Sequence, residues 1–380
     1  MPSPSPSPVL VFWGTYDLGK PRVRILLEAA RELGFEVVEC HASVWDGVED
    51  KSQIRGIGPK LGRVVRLVTS FPRLWWEYAR APDHEIVLVP YPGQLDALML
   101  LPLAKLRSAK LVWDVFMSAY DTVVLDRQLA RPSSLVARGL YAWEWLVARL
   151  VSGAVLDTRA HAEYFAELFA VPRSRVGFVF VGAEDEFCGH DGTHGALDSR
   201  PPGAPRTVLF YGQFIPLQGV EVIVRAAALL QQRRDDVRFL LVGVGQESES
   251  MDRLIEEEEI SIIERRQWVP YEELPVLIHG SDLALGVFGE SRKASSVIPN
   301  KVFQILAVGQ KLVTADTPAL RELVRGDGSD GVWLVPPGDP PALADAVEAA
   351  LGSDTRPPAA YRFDHRRVAA QLQVALEAIS

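Results

Sequence analysis

Short apolar runs that end on glycine or a polar loop, each followed by residues at helical spacing, recur along the whole chain and constrain its fold more than any single motif. Val9 to Trp13 runs into Gly14-Thr15-Tyr16-Asp17-Leu18-Gly19, Val23 to Leu33 has helical spacing, and Phe35 to Cys40 restores a strand. Further strands are expected at Glu85 to Pro90, Lys110 to Val115, Ala154 to Asp157 and Val176 to Val181, with helices through Lys105, from Leu135 to Val151 and from His161 to Phe169. The pattern restarts at Thr207: strands Val208 to Tyr211, Val237 to Val242, Gln267 to Val269, Asp282 to Val287, Lys311 to Thr314 and Val332 to Val335 alternate with helices. Strands alternating with helices predict an α/β fold of parallel, doubly wound sheets.

At 380 residues, nearly half of them apolar, the chain is long enough for two cores. The polar, Gly/Pro-rich segment 188–206 reads as the linker between a first domain at 9–187 and a second at 207–360. Residues 361–380 read as a terminal helix free to pack back on the first domain, and 1–8 (MPSPSPSP) as an extended, disordered tail. His190 and His194 in the linker lack a rigid element and further nearby ligands, so they read as solvated.

A net charge of −9 argues against a general nucleic-acid binder. Two cysteines, Cys40 and Cys188, support neither a disulfide framework nor a zinc cluster, and a reducing cytoplasm is the expected compartment. The opening lacks a signal-peptide pattern, and no apolar run approaches the roughly 20 residues of a membrane span. Segment 51–80 reverses the sign of the chain: Lys51, Arg55, Lys60, Arg63, Arg66, Arg73 and Arg80 are interleaved with aliphatic residues, Trp75, Trp76 and Tyr78, and Glu77 is the one acid. Such a mixture suits an anionic membrane surface; a helical hairpin packed on its own domain accounts for most of the apolar side chains but leaves the surplus of positive charge unexplained.

From Phe288 to Thr317 a loop rich in Ser and basic residues leads into a helix opened by Pro299-Asn300-Lys301, then a turn at Gly309 and a strand. Proline suits a first helical turn because its missing N–H has no partner there. A helix start with unpaired N–H groups beside Ser295, Ser296, Arg292, Lys293 and Lys301 is a candidate anion seat. Val302, Phe303, Ile305 and Leu306 also describe an ordinary buried helix, and spacing leaves both readings open.

The ordered series YGQFIPLQGVEVIVRAA, LLVGVGQE, WVPYEELPVLIHGSDLALG, VIPNKVFQILAVGQKLVTADTPALRELV and GVWLVPPGDPPALADAV resembles the donor-binding domain of family 4 glycosyltransferases of the GT-B fold. GTYDLGKPRVR, WDVFMSAYDTVVLDR and DTRAHAEYF resemble the family's first domain more loosely. The resemblance implies two Rossmann-like domains facing an interdomain cleft. It implies a retaining hexosyltransferase that takes a sugar from a UDP or GDP donor without a metal or other cofactor. A lipid-linked or envelope-polysaccharide acceptor, with peripheral contact to the inner face of the plasma membrane through 51–80, is the first expectation. A soluble acceptor is the second. An epimerase or a non-catalytic sugar-nucleotide binder of the same fold is the alternative from a different class.

Carried over residue by residue, the resemblance places donor contacts at Gly212, Gln213, Gln218, Gly243, Gly245, Val269, Pro270, Tyr271, Glu273, Glu290, Lys293, Ser295, Ser296, Pro299, Asn300, Lys301 and Gln304. Lys301 and Arg292 are expected to stabilise the departing diphosphate and Asp114 to touch the sugar. Gly14, Thr15, Tyr16, Tyr91 and Asp121 are expected on the acceptor side. Two family glutamates are replaced, by Ser296 and Gln304, and the usual basic residue before the loop glycine is Gln218. Gln304 still offers hydrogen bonds to a ribose, without charge.

Overall fold

The computed structural model describes residues 7–45, 57–188 and 203–379, with side chains of 57–61 left out. Residues 1–6 of the tail expected at 1–8, most of the linker with His190 and His194, the basic residues Lys51 and Arg55, and the side chain of Lys60 lie outside what is described. The chain divides into two compact units: one runs to Val124, resumes over Gln128–Phe180 and includes the C-terminal helix; the other comprises Leu125–Arg127 and Val181–Asp364.

The first unit contains β1 (Val9–Gly14), α1 (Pro21–Glu32), β2 (Glu36–His41), α2 (Ile57–Arg80), β3 (Ile86–Val89), α3 (Gln94–Leu106), β4 (Lys110–Asp114), α4 (Leu135–Leu150), β5 (Gly153–Leu156), α5 (Arg159–Leu168) and β6 (Val176–Phe178). Its six strands are parallel in the order β2-β1-β3-β4-β5-β6. Helices cover both faces, so β3 and β5 are buried at every position and read as unbroken apolar runs. Leu74 and Tyr78 of α2, Leu100 of α3, Val147 of α4 and Phe165 of α5 share one core layer.

The second unit contains α6 (Asp185–Cys188), β7 (Arg206–Tyr211), α7 (Val220–Gln231), β8 (Val237–Val242), α8 (Ser248–Glu257), β9 (Ile263–Arg266), α9 (Leu274–His279), β10 (Leu283–Leu285), α10 (Arg292–Ser296), α11 (Asn300–Val308), β11 (Leu312–Ala315), α12 (Pro318–Arg321), β12 (Val332–Val335) and α13 (Pro340–Gly352). Its parallel order is β12-β11-β10-β7-β8-β9. The last helix, α14 (His365–Ile379), returns to the first unit and packs on α1 and β6. A side chain at Gly153 would meet Ile379 at 2.7 Å, so the bare backbone of β5 admits this helix.

Four local expectations are corrected. The strand expected at Gln267 to Val269 lies just before it, at Ile263–Arg266, an edge strand of one apolar and three charged residues that pairs with β8. The Ser-rich loop before Pro299 contains α10, because the Ser291 hydroxyl accepts from Ala294 N at 3.1 Å and starts a turn. Within 57–80 there is one helix, not a hairpin; Pro72 sits inside it on the exposed side. The strand expected to reach Val181 stops at Phe178.

Candidate functional site: the carboxyl ends of β7 and β10

In the second sheet the strand order reverses between β7 and β10. Ligands of open α/β sheets sit beyond the strand carboxyl ends at such a point. Two loops meet there. Gly219, at φ +64°, caps α7, and a side chain on it would meet Phe288 C at 2.5 Å and Gly289 N at 2.6 Å. Only glycine lets the loop after β7 lie this close to the loop after β10.

Lys301, in the first turn of α11, reaches back into this junction. Its Nζ donates to Gln218 Oε1 at 2.6 Å and lies 3.8 Å from the Phe210 ring centroid. A Cβ on Gly212 would meet that Nζ at 2.8 Å, so Gly212 leaves the ammonium its room. Lys301 is 5% exposed, and desolvation drives its pKa well below the ordinary lysine value. Pro299 caps α11 without a side-chain acceptor, and Pro299 and Asn300 are half-buried. The first-turn N–H groups and Lys301 therefore lie at the same helix start, a place suited to negative charge.

Gln304, one turn further on, is committed to a protein network. Its Oε1 accepts from Tyr211 Oη at 3.0 Å and its Nε2 donates to Tyr271 Oη at 2.8 Å; Tyr271 Oη in turn donates to the Glu184 carboxylate. Gln304 is 3% exposed. In this conformation its amide serves two tyrosines in place of a ribose. Ser295 and Ser296 likewise direct their hydroxyls to Arg292 O, at 2.8 and 2.7 Å. Arg292 is exposed, Lys293 buried, and Glu290 packs its carboxylate against Gly338. Gln213 accepts from Arg127 at 3.4 Å, and Ser291 donates to Asp126 at 3.1 Å. Gly243 and Gly245 follow β8, with Gly245 N donating to Ser248 Oγ at 2.8 Å. Val269, Pro270 and Tyr271 are half-buried and Glu273 exposed.

The residues expected on the acceptor side fall in the first unit, and several are spent on its interior. Thr15 N donates to Asp96 Oδ2 at 2.6 Å and its hydroxyl also turns to Asp96. Tyr16 donates to Glu39 at 3.0 Å and stacks on His41. Asp121 accepts from Tyr164 at 2.8 Å, and Tyr91 packs edge-on against Phe116. Gly14 lies against Asp96. Asp114, expected to touch the sugar, has no accessible surface: it pairs with Arg22 at 2.6 Å, and Arg22 also donates to Val179 O and Leu156 O. It fastens α1 to the sheet. Burial raises its pKa while Arg22 counteracts the shift.

Sequence reasoning passed over Tyr211, Glu184 and Asp96. Tyr211 carries a weak signal, a hydroxyl at the end of an otherwise apolar strand before Gly212; the other two carry none.

Residues 205–353 match the model of the family described as glycosyl transferases group 1. The chain is 28% identical to alpha-D-kanosaminyltransferase of Streptomyces kanamyceticus over 41% of this chain and 37% of that protein. It is 29% identical to phosphatidyl-myo-inositol mannosyltransferase of Mycobacterium leprae over 49% of this chain and 51% of that one. The chain thus spans about half the length, or less, of these curated relatives. Anabaena HepE, solved with UDP and glucose, superposes with a TM-score of 0.66 at 15% identity, covering 97% of this chain and 99% of that one. With two Rossmann-like units, each built on a six-stranded parallel sheet, the fold is GT-B.

Proposed function

We propose that this chain, whose residues 205–353 match the model of the group 1 glycosyl transferases, moves a sugar from a nucleoside diphosphate donor to an acceptor with retention of configuration. The observation that carries the reading is the buried Lys301 side-chain nitrogen beside the start of α11, at the point where the second sheet reverses its order. As the glycosidic bond breaks, charge gathers on the diphosphate, and preorganised donors at that place lower the barrier. Lys301 and the first-turn N–H groups take this role, with Arg292 at the rim. The reading assigns charge compensation to the protein and not to a metal.

UDP is the first donor to test, in keeping with the neighbour solved with UDP, and GDP the second. For the acceptor we favour a lipid-linked or envelope-polysaccharide substrate, in keeping with a relative named for phosphatidyl-myo-inositol. The kanosaminyltransferase relative supports a soluble acceptor as the second choice. Incubation with UDP- and GDP-sugars and both acceptor classes, with the anomer of the product read by NMR, tests the proposal. Transfer with retention supports it; epimerised donor without transfer contradicts it. The two tyrosines on Gln304 favour one further reading, a donor binder without turnover, which tight UDP binding with neither transfer nor hydrolysis would establish.

A further inference from the structure

Helix α2 has one apolar face more than its place in the fold requires. Phe71, Leu74 and Tyr78 point into the core and are at most 4% exposed. Around the helix from them, Val64, Val65, Val68, Pro72, Trp75 and Trp76 repeat at helical spacing and remain exposed, Val68 and Trp76 at 57% each. A surface helix ordinarily turns charged and polar groups to that side. Here Arg66, Arg73 and Arg80 run at heptad spacing along one edge of the exposed apolar strip. Arg80 lies over the Trp76 ring at 3.8 Å, and Arg73 pairs with Glu77, the one acid of this stretch, at 2.6 Å.

Helix α4 repeats the arrangement. Leu135 is 84% exposed, Trp145 and Leu146 stand out about three turns further along, and Arg149 lies over the Trp145 ring at 4.0 Å. Arg138 is exposed on the same arc. The only carboxylate of α4, Glu144, turns inward and accepts from Ser118 Oγ, Ala119 N, Tyr120 N and Gln94 Nε2. Between the two lies α3, tied to α2 by Trp75 Nε1 donating to Met99 O at 3.0 Å and to α4 by Gln94 donating to Glu144 at 2.9 Å. All three helices cover the same face of the first sheet, and α3 adds exposed Lys105 and Leu106.

We propose that the outer faces of α2 and α4, with α3 between them, form one docking surface for an anionic bilayer. Aliphatic side chains enter the acyl boundary, tryptophan rings stay at headgroup depth, and arginines reach lipid phosphates with their stems on apolar surface. Charge selects this occupant: the chain as a whole carries −9, yet these outer faces are arginine-rich, with one acid already paired. A second copy would set arginine rows against each other. Among the described residues no helix is long and apolar enough to cross a membrane, so the surface lies on the bilayer. The inference bears on the lipid-linked acceptor reading, but its test uses neither donor nor acceptor, so either can fail alone.

The full chain is floated with vesicles of phosphatidylcholine alone and of phosphatidylcholine containing about one third phosphatidylglycerol. Binding to the second, weakened by salt, is expected. Each neutralised arginine should lower partition about fivefold, so Arg66→Gln with Arg138→Gln, one on each helix, should lower it about 25-fold. Trp76→Ser should reduce quenching of tryptophan emission by brominated lipid. All three positions are exposed, and an unchanged melting temperature and far-UV spectrum confirm folding. Equal flotation with both vesicles, unchanged partition of the double variant, or a solution dimer dispersed by Trp76→Ser would overturn the proposal.

Discussion

The Lys301 ammonium donates to Gln218 Oε1 at 2.6 Å, one neutral acceptor for a cation buried against Phe210. Gln218 stands where the resemblance leads one to expect a basic residue, so the Lys301 nitrogen meets an uncharged amide here. A buried cation without a counter-charge is costly, and an incoming diphosphate supplies one.

Lys301→Met should therefore weaken UDP binding about 10- to 100-fold, the weight of a charge-assisted hydrogen bond, and leave the melting temperature unchanged or raised. Isothermal calorimetry measures the first and a thermal melt the second. A large loss of stability with unchanged affinity would make Lys301 a packing residue.

The same burial fixes a pH dependence. Desolvation lowers the Lys301 pKa in the free protein, and a bound anion raises it again, so donor binding should take up protons and weaken as pH rises through the free-protein pKa. Calorimetry in two buffers of different ionisation heat reads this as a buffer-dependent enthalpy. In Lys301→Met that dependence should vanish.

Gln304→Glu introduces the charge that the resemblance leads one to expect at this position, at a cost. Tyr271 already donates its one hydroxyl proton to Glu184 and accepts from Gln304 Nε2. A carboxylate at 304 loses that donor and competes with Glu184 for the proton, so we expect a loss of about 1–3 kcal/mol in denaturant unfolding. Glu184→Gln in the same chain should recover most of it; additive losses in the double mutant would contradict the network.

In the first unit, burial raises the Asp96 pKa from 3.8 to about 6, against the opposing hydrogen bonds from Thr15. Between those values the native state holds the proton more firmly than the unfolded chain, so stability contributed by this group falls as pH rises across the window. The change is on the order of 3 kcal/mol, and Asp96→Asn should flatten the slope of urea stability against pH by that amount.

Asp114→Asn leaves Arg22 buried without its counter-charge and should cost about 3–5 kcal/mol of stability. UDP affinity, which we assign to the second unit, should be unchanged. Lost transfer at full stability would return Asp114 to a role at the sugar.

Much of the fold was legible because strands of doubly covered sheets are apolar on both faces: Val9 to Trp13 and Val208 to Tyr211 announce themselves. The edge strand Ile263–Arg266, half of it arginine, does not. Within the site, Pro299, Lys301, Gly212 and Gln218 could be named from an ordered series of motifs. What they touch could not. Gln304 finds Tyr211 across 93 positions, Asp114 finds Arg22 across 92, and Thr15 finds Asp96 across 81. Side chains expected to face a substrate were thus already committed to partners that no local spacing reveals.

The central claim is that the start of α11 and Lys301 hold a nucleoside diphosphate. Thermal unfolding with UDP, GDP, ADP and dTDP, on the parent chain and on Lys301→Met, tests it most directly, because a ligand of the native state raises the melting temperature by mass action. At least one of the four, UDP foremost, should stabilise the parent and lose most of that effect in the variant. No shift with any nucleotide, or an equal shift in both proteins, would contradict it.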